Sequence, residues 1–322
     1  MSPAPPPLAN QETGQRRTRG RSIVVGTIVG LLGLGFVFLT VASGWDDVAG
    51  ALESATPGYL ALAFVMGGLG MTCVGLTWRS ALRTLGAKVD TLPALRAYFV
   101  GQLGKYLPGG VWAIMGRGEW VRAEGISGSI AYGSVLLSMV TAQLSALLFT
   151  FLLLPFSGIF DTGPGSRYGL VLLLLPLGLL VLHPRMLRKV LMIASRLTHR
   201  TITLEPPRWH QSAWLVAQQL PAWLLIGVST LAASVALGAR GDALNLITAT
   251  TLSWVIGFIA LPTPGGIGVR EAAFVALATS LPPGVAATVA LVARLVFVAV
   301  DVLCAAAVGY LLQLRQRRGA IA

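Results

Sequence analysis

Six stretches of this chain are apolar for roughly the length that crosses a lipid bilayer: residues 23–43, 59–78, 130–155, 168–183, 212–237 and 285–312. A helix rises about 1.5 Å per residue and the hydrocarbon core is about 30 Å thick, so about 20 apolar residues span it. The fourth stretch is short and needs little tilt or a thin local bilayer. Of 322 residues, 55% are hydrophobic and only 11% charged, whereas soluble domains carry about 25% charged residues. The expected class is an all-α, polytopic membrane protein. Its polar parts are the ends and one loop, so no separate catalytic domain is expected and the chain is read as a non-enzyme.

The net charge of +12 raises nucleic acid as a partner. The basic residues instead cluster at the ends of apolar runs, the pattern of topology signals and anionic-lipid contacts, and no nucleic acid is expected. Cys73 and Cys304 both lie in apolar runs, which implies no disulfide framework. His183, His199 and His210 have no metal-ligand spacing, so neither metal nor cofactor is expected. Residues 1–22 are Pro-rich and then basic, with Arg16, Arg17, Arg19 and Arg21. The apolar run that follows exceeds the roughly 7–15 residues of a signal-peptide core. It reads as an uncleaved first span behind a disordered tail.

Two further apolar regions, 92–124 and 243–280, are each broken by Pro-Gly-Gly. Pro108-Gly109-Gly110 sits in GKYLPGGVWAIMGRGEW, and Pro264-Gly265-Gly266 sits in LPTPGGIGVREAAF. Proline ends a helix by steric clash and by lacking an N–H, and glycine accepts backbone angles that other residues resist. Inside lipid such a break exposes unpaired backbone groups, which is tolerated only against protein or a wet cavity. Arms of about 14–16 residues reach about 21–24 Å, short of the core thickness. Each region therefore reads as a re-entrant hairpin, although 243–261 alone nearly suffices for a full span.

Charge counting orients the chain. With the N-terminus in the cytoplasm, the inner segments hold the four arginines of the tail, then Arg79, Arg83 and Lys88. They also hold Arg185, Arg188, Lys189, Arg196, Arg200 and Arg208, and finally Arg315, Arg317 and Arg318. The outer loops hold only Arg167 and Arg240 beside Asp46, Asp47, Glu53, Asp161 and Asp242. Both termini are then cytoplasmic in a multi-pass protein of the plasma membrane. The transmembrane domain is 23–312, with halves 23–155 and 168–312, a cytoplasmic segment 184–211 between them, and a tail 313–322. Each half runs span, span, hairpin, span, and the two start from opposite sides. That order is an inverted-topology repeat, an architecture of transporters. In 184–211, Arg185, Arg188, Lys189, Arg196 and Arg200 share one side of a helix, which reads either as a surface-lying amphipathic helix or as a solvated topology signal.

The helix after each break starts near mid-membrane, where free N–H groups and the positive dipole end suit phosphate or carboxylate. Arg270 and Glu271 follow the second break, and Arg294 and Asp301 lie seven apart on one face of the last span. A charge at the centre of a membrane helix costs about 2.5–3.5 kcal/mol on translocon scales, so these groups are expected to face inward. The candidate substrate-binding set is Arg270, Glu271, Arg294, Asp301, Gly265, Gly266 and Gly268, with Lys105, Gly109, Gly110, Trp112 and Arg117 from the first break. The plainer alternative is a structural ion pair between Arg294 and Glu271, with Trp112 packing the hairpin. Arg122 and Glu124 lie nearer the interface and read as topology residues. Gly67, Gly68, Gly70 and Gly75 fit close helix packing. Asp46-Asp47 resembles the external acidic pair of membrane glycosyltransferases, a weak signal for an enzyme.

LPTPGGIGVREAAF (261–274) followed by ARLVFVAVD (293–301) resembles the C-terminal signature of the lysylphosphatidylglycerol synthase/flippase transmembrane-region family. GQLGKYLPGGVWAIMGRGEWVRAEGIS (101–127) is similar to its first-half motif, in a looser form. The resemblance covers about 20–312. It implies a flippase-like domain that moves anionic or aminoacylated lipids, and it points to Pro264, Gly265, Gly266, Gly268, Arg270, Glu271 and Arg294 with Lys105, Pro108, Gly109, Gly110 and Arg117. The soluble aminoacyl-transfer domain of the two-part synthases is not in this sequence, so lysyl transfer by this chain is not expected. The leading expectation is a lipid flippase or transporter for an anionic or lipid-linked headgroup, with membrane lipids and a lipid-modifying enzyme as partners. The alternatives are a polytopic glycosyltransferase using lipid-phosphate sugar and a non-transporting scaffold for a lipid-modifying enzyme.

Overall fold

The computed structural model describes residues 50, 53–106, 112–159, 173–186, 188–189, 205–259 and 268–319. Among these residues all regular structure is helical. The expected first span 23–43, both Pro-Gly-Gly tips, Asp46-Asp47 and most of 184–211 lie outside them.

The helices are α1 (Pro57–Thr84), α2 (Thr91–Leu103), α3 (Trp112–Ala123), α4 (Gly128–Leu153), α5 (Leu174–Val181), α6 (Trp209–Ala236), α7 (Ala243–Ile259), α8 (Val269–Leu277) and α9 (Pro283–Gly319). Of the described helices, four are long and apolar enough to cross a membrane: α1, α4 with the 3₁₀ turn that follows it, α6 and α9. They overlap the expected spans 59–78, 130–155, 212–237 and 285–312. α5 falls within the expected span 168–183 but has only 8 described residues.

The other four are short, at 13, 12, 17 and 9 residues for α2, α3, α7 and α8. At helical rise they reach about 20, 18, 26 and 14 Å, all below the roughly 30 Å of hydrocarbon. α2 packs on α3 and α7 packs on α8. The order long, short, short, long therefore occurs twice, as α1 to α4 and as α6 to α9.

The two sets pack reciprocally. α2 lies on α9 while α7 lies on α4, and α1 lies on α9 while α6 lies on α4. The axis of this exchange is the pair α1 and α6, which run antiparallel. The Thr56 N–H donates to Ala236 O at 2.8 Å, and Ser229 Oγ donates to Ala63 O at 2.7 Å. Further along, Gly70 lies against Ala222 and Ile226, where a Cβ would meet Ile226 Cγ1 at 2.9 Å. Gly67 likewise leaves room for Ser229. Small residues at such a crossing let two apolar helices approach closely, as the glycine pattern of α1 predicts.

Several hydroxyls buried in the bundle bond back to their own helices. Thr77, Thr141, Thr250 and Thr251 donate to the carbonyls of Cys73, Leu137, Leu246 and Ile247. That pattern satisfies a polar group without help from a neighbour. The outward faces carry large apolar side chains, such as Tyr59, Leu62, Val65 and Leu69 along α1.

The N-terminal end of α7 is held by Asn245. Its Nδ2 donates to Ser157 O at 3.0 Å and to Thr279 Oγ1 at 3.0 Å. Its Oδ1 accepts from Ser280 Oγ at 2.9 Å. One buried amide thus joins α7, the end of α4 and the turn between α8 and α9.

Candidate functional site

Described residues flanking both breaks, Lys105 and Tyr106 before the first and Arg270 and Glu271 after the second, meet the middle of α9. Arg294, Phe297 and Asp301 recur there every three to four residues and form one inward face. The first pair ends in a 3₁₀ turn, Gly104–Tyr106, which delivers Lys105 and Tyr106 to Asp301. Lys105 Nζ lies 2.6 Å from Asp301 Oδ2, and Tyr106 OH donates to the same oxygen at 2.6 Å. The Asp301 side chain is fully buried, and its Oδ1 has no partner. A buried carboxylate is tolerated only when paired and hydrogen-bonded, and here one oxygen carries both contacts.

The second pair supplies Arg270 and Glu271 from the first turn of α8. Gly268 precedes that helix at φ +82°, a left-handed backbone that favours glycine. Its N–H donates to Glu271 Oε2 at 2.7 Å, and Glu271 Oε1 accepts from Arg294 Nη1. An internal carboxylate therefore already serves part of this helix start. The Arg294–Glu271 pair of the plainer structural alternative is present.

Arg270 is differently placed. Its guanidinium carbon lies 3.7 Å from the centroid of the Trp254 ring and 5.5 Å from that of Phe297. It makes no ion pair among the described residues. Lys105 Nζ stands 5.9 Å from the same Trp254 ring, so one indole faces two cations. A small open cleft reaches Arg270 and Glu271, bordered by Thr250, Ser253 and Phe274. The cluster holds three cations, Lys105, Arg270 and Arg294, against two carboxylates, Glu271 and Asp301, a net excess of one positive charge.

Arg117 lies apart from this cluster. It is 4% exposed and sits between Trp78 and Tyr98, with its guanidinium carbon 5.8 and 5.6 Å from their ring centroids. Trp112 packs at the joint of α2 and α3, where a Cβ on Gly104 would lie 3.1 Å from its own Cβ. Gln102 turns back to Tyr98 OH, at 3.0 Å. Glu119 pairs with Arg122 at 2.8 Å and accepts from Tyr132 OH, on the exposed side of α3. Gly109, Gly110, Gly265 and Gly266 lie outside the described residues.

Several partners escape a reading by charge and motif: Tyr106, Trp254, Phe297, Tyr98 and Trp78. A signal for some of them is present. Tyr98 stands three residues before Gly101, and Gly101 seven before Pro108; Trp254 stands three before Gly257, and Gly257 seven before Pro264. Both breaks thus follow the pattern aromatic-x-x-Gly-x6-Pro-Gly-Gly. The glycine makes room for an arginine of the returning helix. A Cβ on Gly101 would lie 2.6 Å from Arg117 Cγ, and one on Gly257 would lie 2.9 Å from Arg270 Cβ.

Apolar helices of crossing length around a buried charge cluster define a multi-pass membrane protein. The chain belongs to the Lysylphosphatidylglycerol synthase TM region family, which matches residues 23–309, most of its length. The family is named for the membrane part of a lipid-modifying enzyme. No curated protein matches the chain.

Proposed function

We propose that this protein is a lipid flippase of the plasma membrane, which carries an anionic headgroup past the middle of the bilayer between its two halves. The observation that carries this reading is Arg270. Its guanidinium is stacked on Trp254 with no carboxylate partner among the described residues, inside a cluster with excess positive charge. Arginine binds phosphate oxygens through a planar fork of donors, and an indole face stabilises the cation while leaving those donors free. Arg294 is the second ligand, held in place by Glu271 until the headgroup arrives. Asp301 ties the first joint to α9 through Lys105 and Tyr106 and is the natural proton acceptor if movement is ion-coupled.

The short pairs are re-entrant hairpins in an inverted-topology repeat. Support comes from their sub-membrane lengths, the reciprocal packing of the halves and the antiparallel course of α1 and α6. Rocking of one half against the other about α1 and α6 exposes the cluster alternately to each side. The chain does no covalent chemistry in this scheme, and both termini are cytoplasmic.

Headgroup flipping in proteoliposomes tests the proposal. Arg270→Ala and Arg294→Ala are each expected to lower flipping at least tenfold, and full activity in both would remove the phosphate-cradle idea. Orientation is tested separately: Gly241→Cys is expected to label from outside, and labelling from the cytoplasm overturns the topology.

A further inference from the structure

We infer that Arg117 forms a second anion-binding station, built by the first half as Arg270 is built by the second, and suited to a phosphate monoester or diester. This extends the reading of Arg270 as an anion site. The starting point is a charge imbalance. Arg117 is 4% exposed, and no acidic side chain pairs with it among the described residues. Its Nε donates to Ala113 O at 3.1 Å, within its own helix, and its terminal nitrogens have no hydrogen-bond partner among the described residues. Glu119, two residues on, is engaged by Arg122 and Tyr132 and faces outward.

An isolated buried cation is costly, and cation–π contacts with Trp78 and Tyr98 offset only part of that cost. The other buried cations near the joints show the usual remedy, Lys105 with Asp301 and Arg294 with Glu271. Arg117 and Arg270 lack it, one in each half. Each rests on the aromatic that precedes its glycine by three residues, and each fills the space which that glycine leaves. An aliphatic side chain would fill the Arg117 position without the electrostatic cost. The missing counter-charge is supplied by a ligand, and a phosphate fits the free fork of a guanidinium. Two such stations in opposed halves give a headgroup one resting place in each.

The test counts bound anions on the full chain in detergent by native mass spectrometry, with short-chain phosphatidylglycerol as the probe and phosphatidylcholine as the uncharged-net comparator. The wild type is expected to retain two phosphatidylglycerol molecules under conditions that strip phosphatidylcholine. Arg117→Gln and Arg270→Gln are each expected to retain one, the double variant none, and Arg117→Lys two. A parallel titration with inorganic phosphate distinguishes the source. Displacement of both lipids assigns the stations to the phosphate group alone, and no displacement assigns them to the lipid as a whole. Without lipid, Arg117→Gln is expected to unfold no earlier than the wild type, because an unbalanced charge has been removed. Two retained lipids in Arg117→Gln, or earlier unfolding of that variant with and without lipid, overturns the inference and makes Arg117 a packing residue. One lipid in the wild type, lost only in Arg270→Gln, overturns it while leaving the flippase reading intact. Loss confined to Arg117→Gln, with Arg270→Gln unaffected, upholds the second station and removes the first.

Discussion

In the first short pair, the cation at the joint, Lys105, reaches out of the pair to Asp301 on α9, and the arginine of the returning helix, Arg117, has no acidic partner among the described residues. In the second pair the acid is internal. Glu271 caps its own helix start at Gly268 and reaches Arg294 on α9, while its neighbour Arg270 rests on Trp254 with no ion pair among the described residues. The scaffold is the same in both, an aromatic, a glycine and a break at fixed spacing. What differs is the polarity of the tie to α9, cation to acid in one and acid to cation in the other. A shared backbone plan thus fixes where an arginine fits, and the charges around it decide whether the position is a strut or a binding group.

The largest expected effect comes from cutting the first tie. Asp301→Leu leaves Lys105 in a mostly buried place without a counter-charge, and removing one member of a buried pair costs about 3–5 kcal/mol. Thermal unfolding in detergent is expected to show this loss, and the double change Lys105→Met with Asp301→Leu is expected to recover most of it without restoring flipping. A double variant as unstable as the single one would show that Asp301 acts through Tyr106 instead.

Next is the end of the second pair remote from its break, where a single buried amide, Asn245, is the anchor. Asn245→Ala deletes several buried hydrogen bonds and strands the Ser280 hydroxyl and the carbonyls of Ser157 and Leu277. Each unsatisfied buried group costs about 1–3 kcal/mol, so a loss of about 3 kcal/mol is expected by the same measurement. The smallest effect belongs to Glu119→Gln on the outer side of the first pair. Its contact to Arg122 is exposed at both ends, and such pairs contribute about 0.2–1 kcal/mol. A loss as large as that for Asn245→Ala would mean that the two pairs are anchored alike.

Much of this arrangement is legible in the sequence. Apolar length locates α1, α4, α6 and α9, and Pro-Gly-Gly locates the joints of the short pairs. Intramembrane charge singles out Lys105, Arg270, Glu271, Arg294 and Asp301, because such residues must turn inward. Their pairing is less legible. Tyr106 and Asp301 are separated by 195 positions, and nothing local in either segment specifies the other. Phe297 looks like an ordinary apolar residue in an apolar helix, and Trp254 is marked only by its spacing to Gly257 and Pro264. Arg117 reads as a candidate binding residue beside the first break, but its burial between two rings emerges only when α1, α2 and α3 are assembled. Asn245 reads as a polar residue at a helix start, and its role depends on carbonyls from two distant segments.

The central claim is that an anionic headgroup rests on Arg270 within the membrane. A cryo-EM map of the full chain in nanodiscs of phosphatidylglycerol tests it most directly. The account predicts headgroup density at ion-pair distance from the Arg270 guanidinium, over Trp254, and its loss in Arg270→Gln. Lipid density confined to the outer apolar faces, with none beside Arg270, would contradict it.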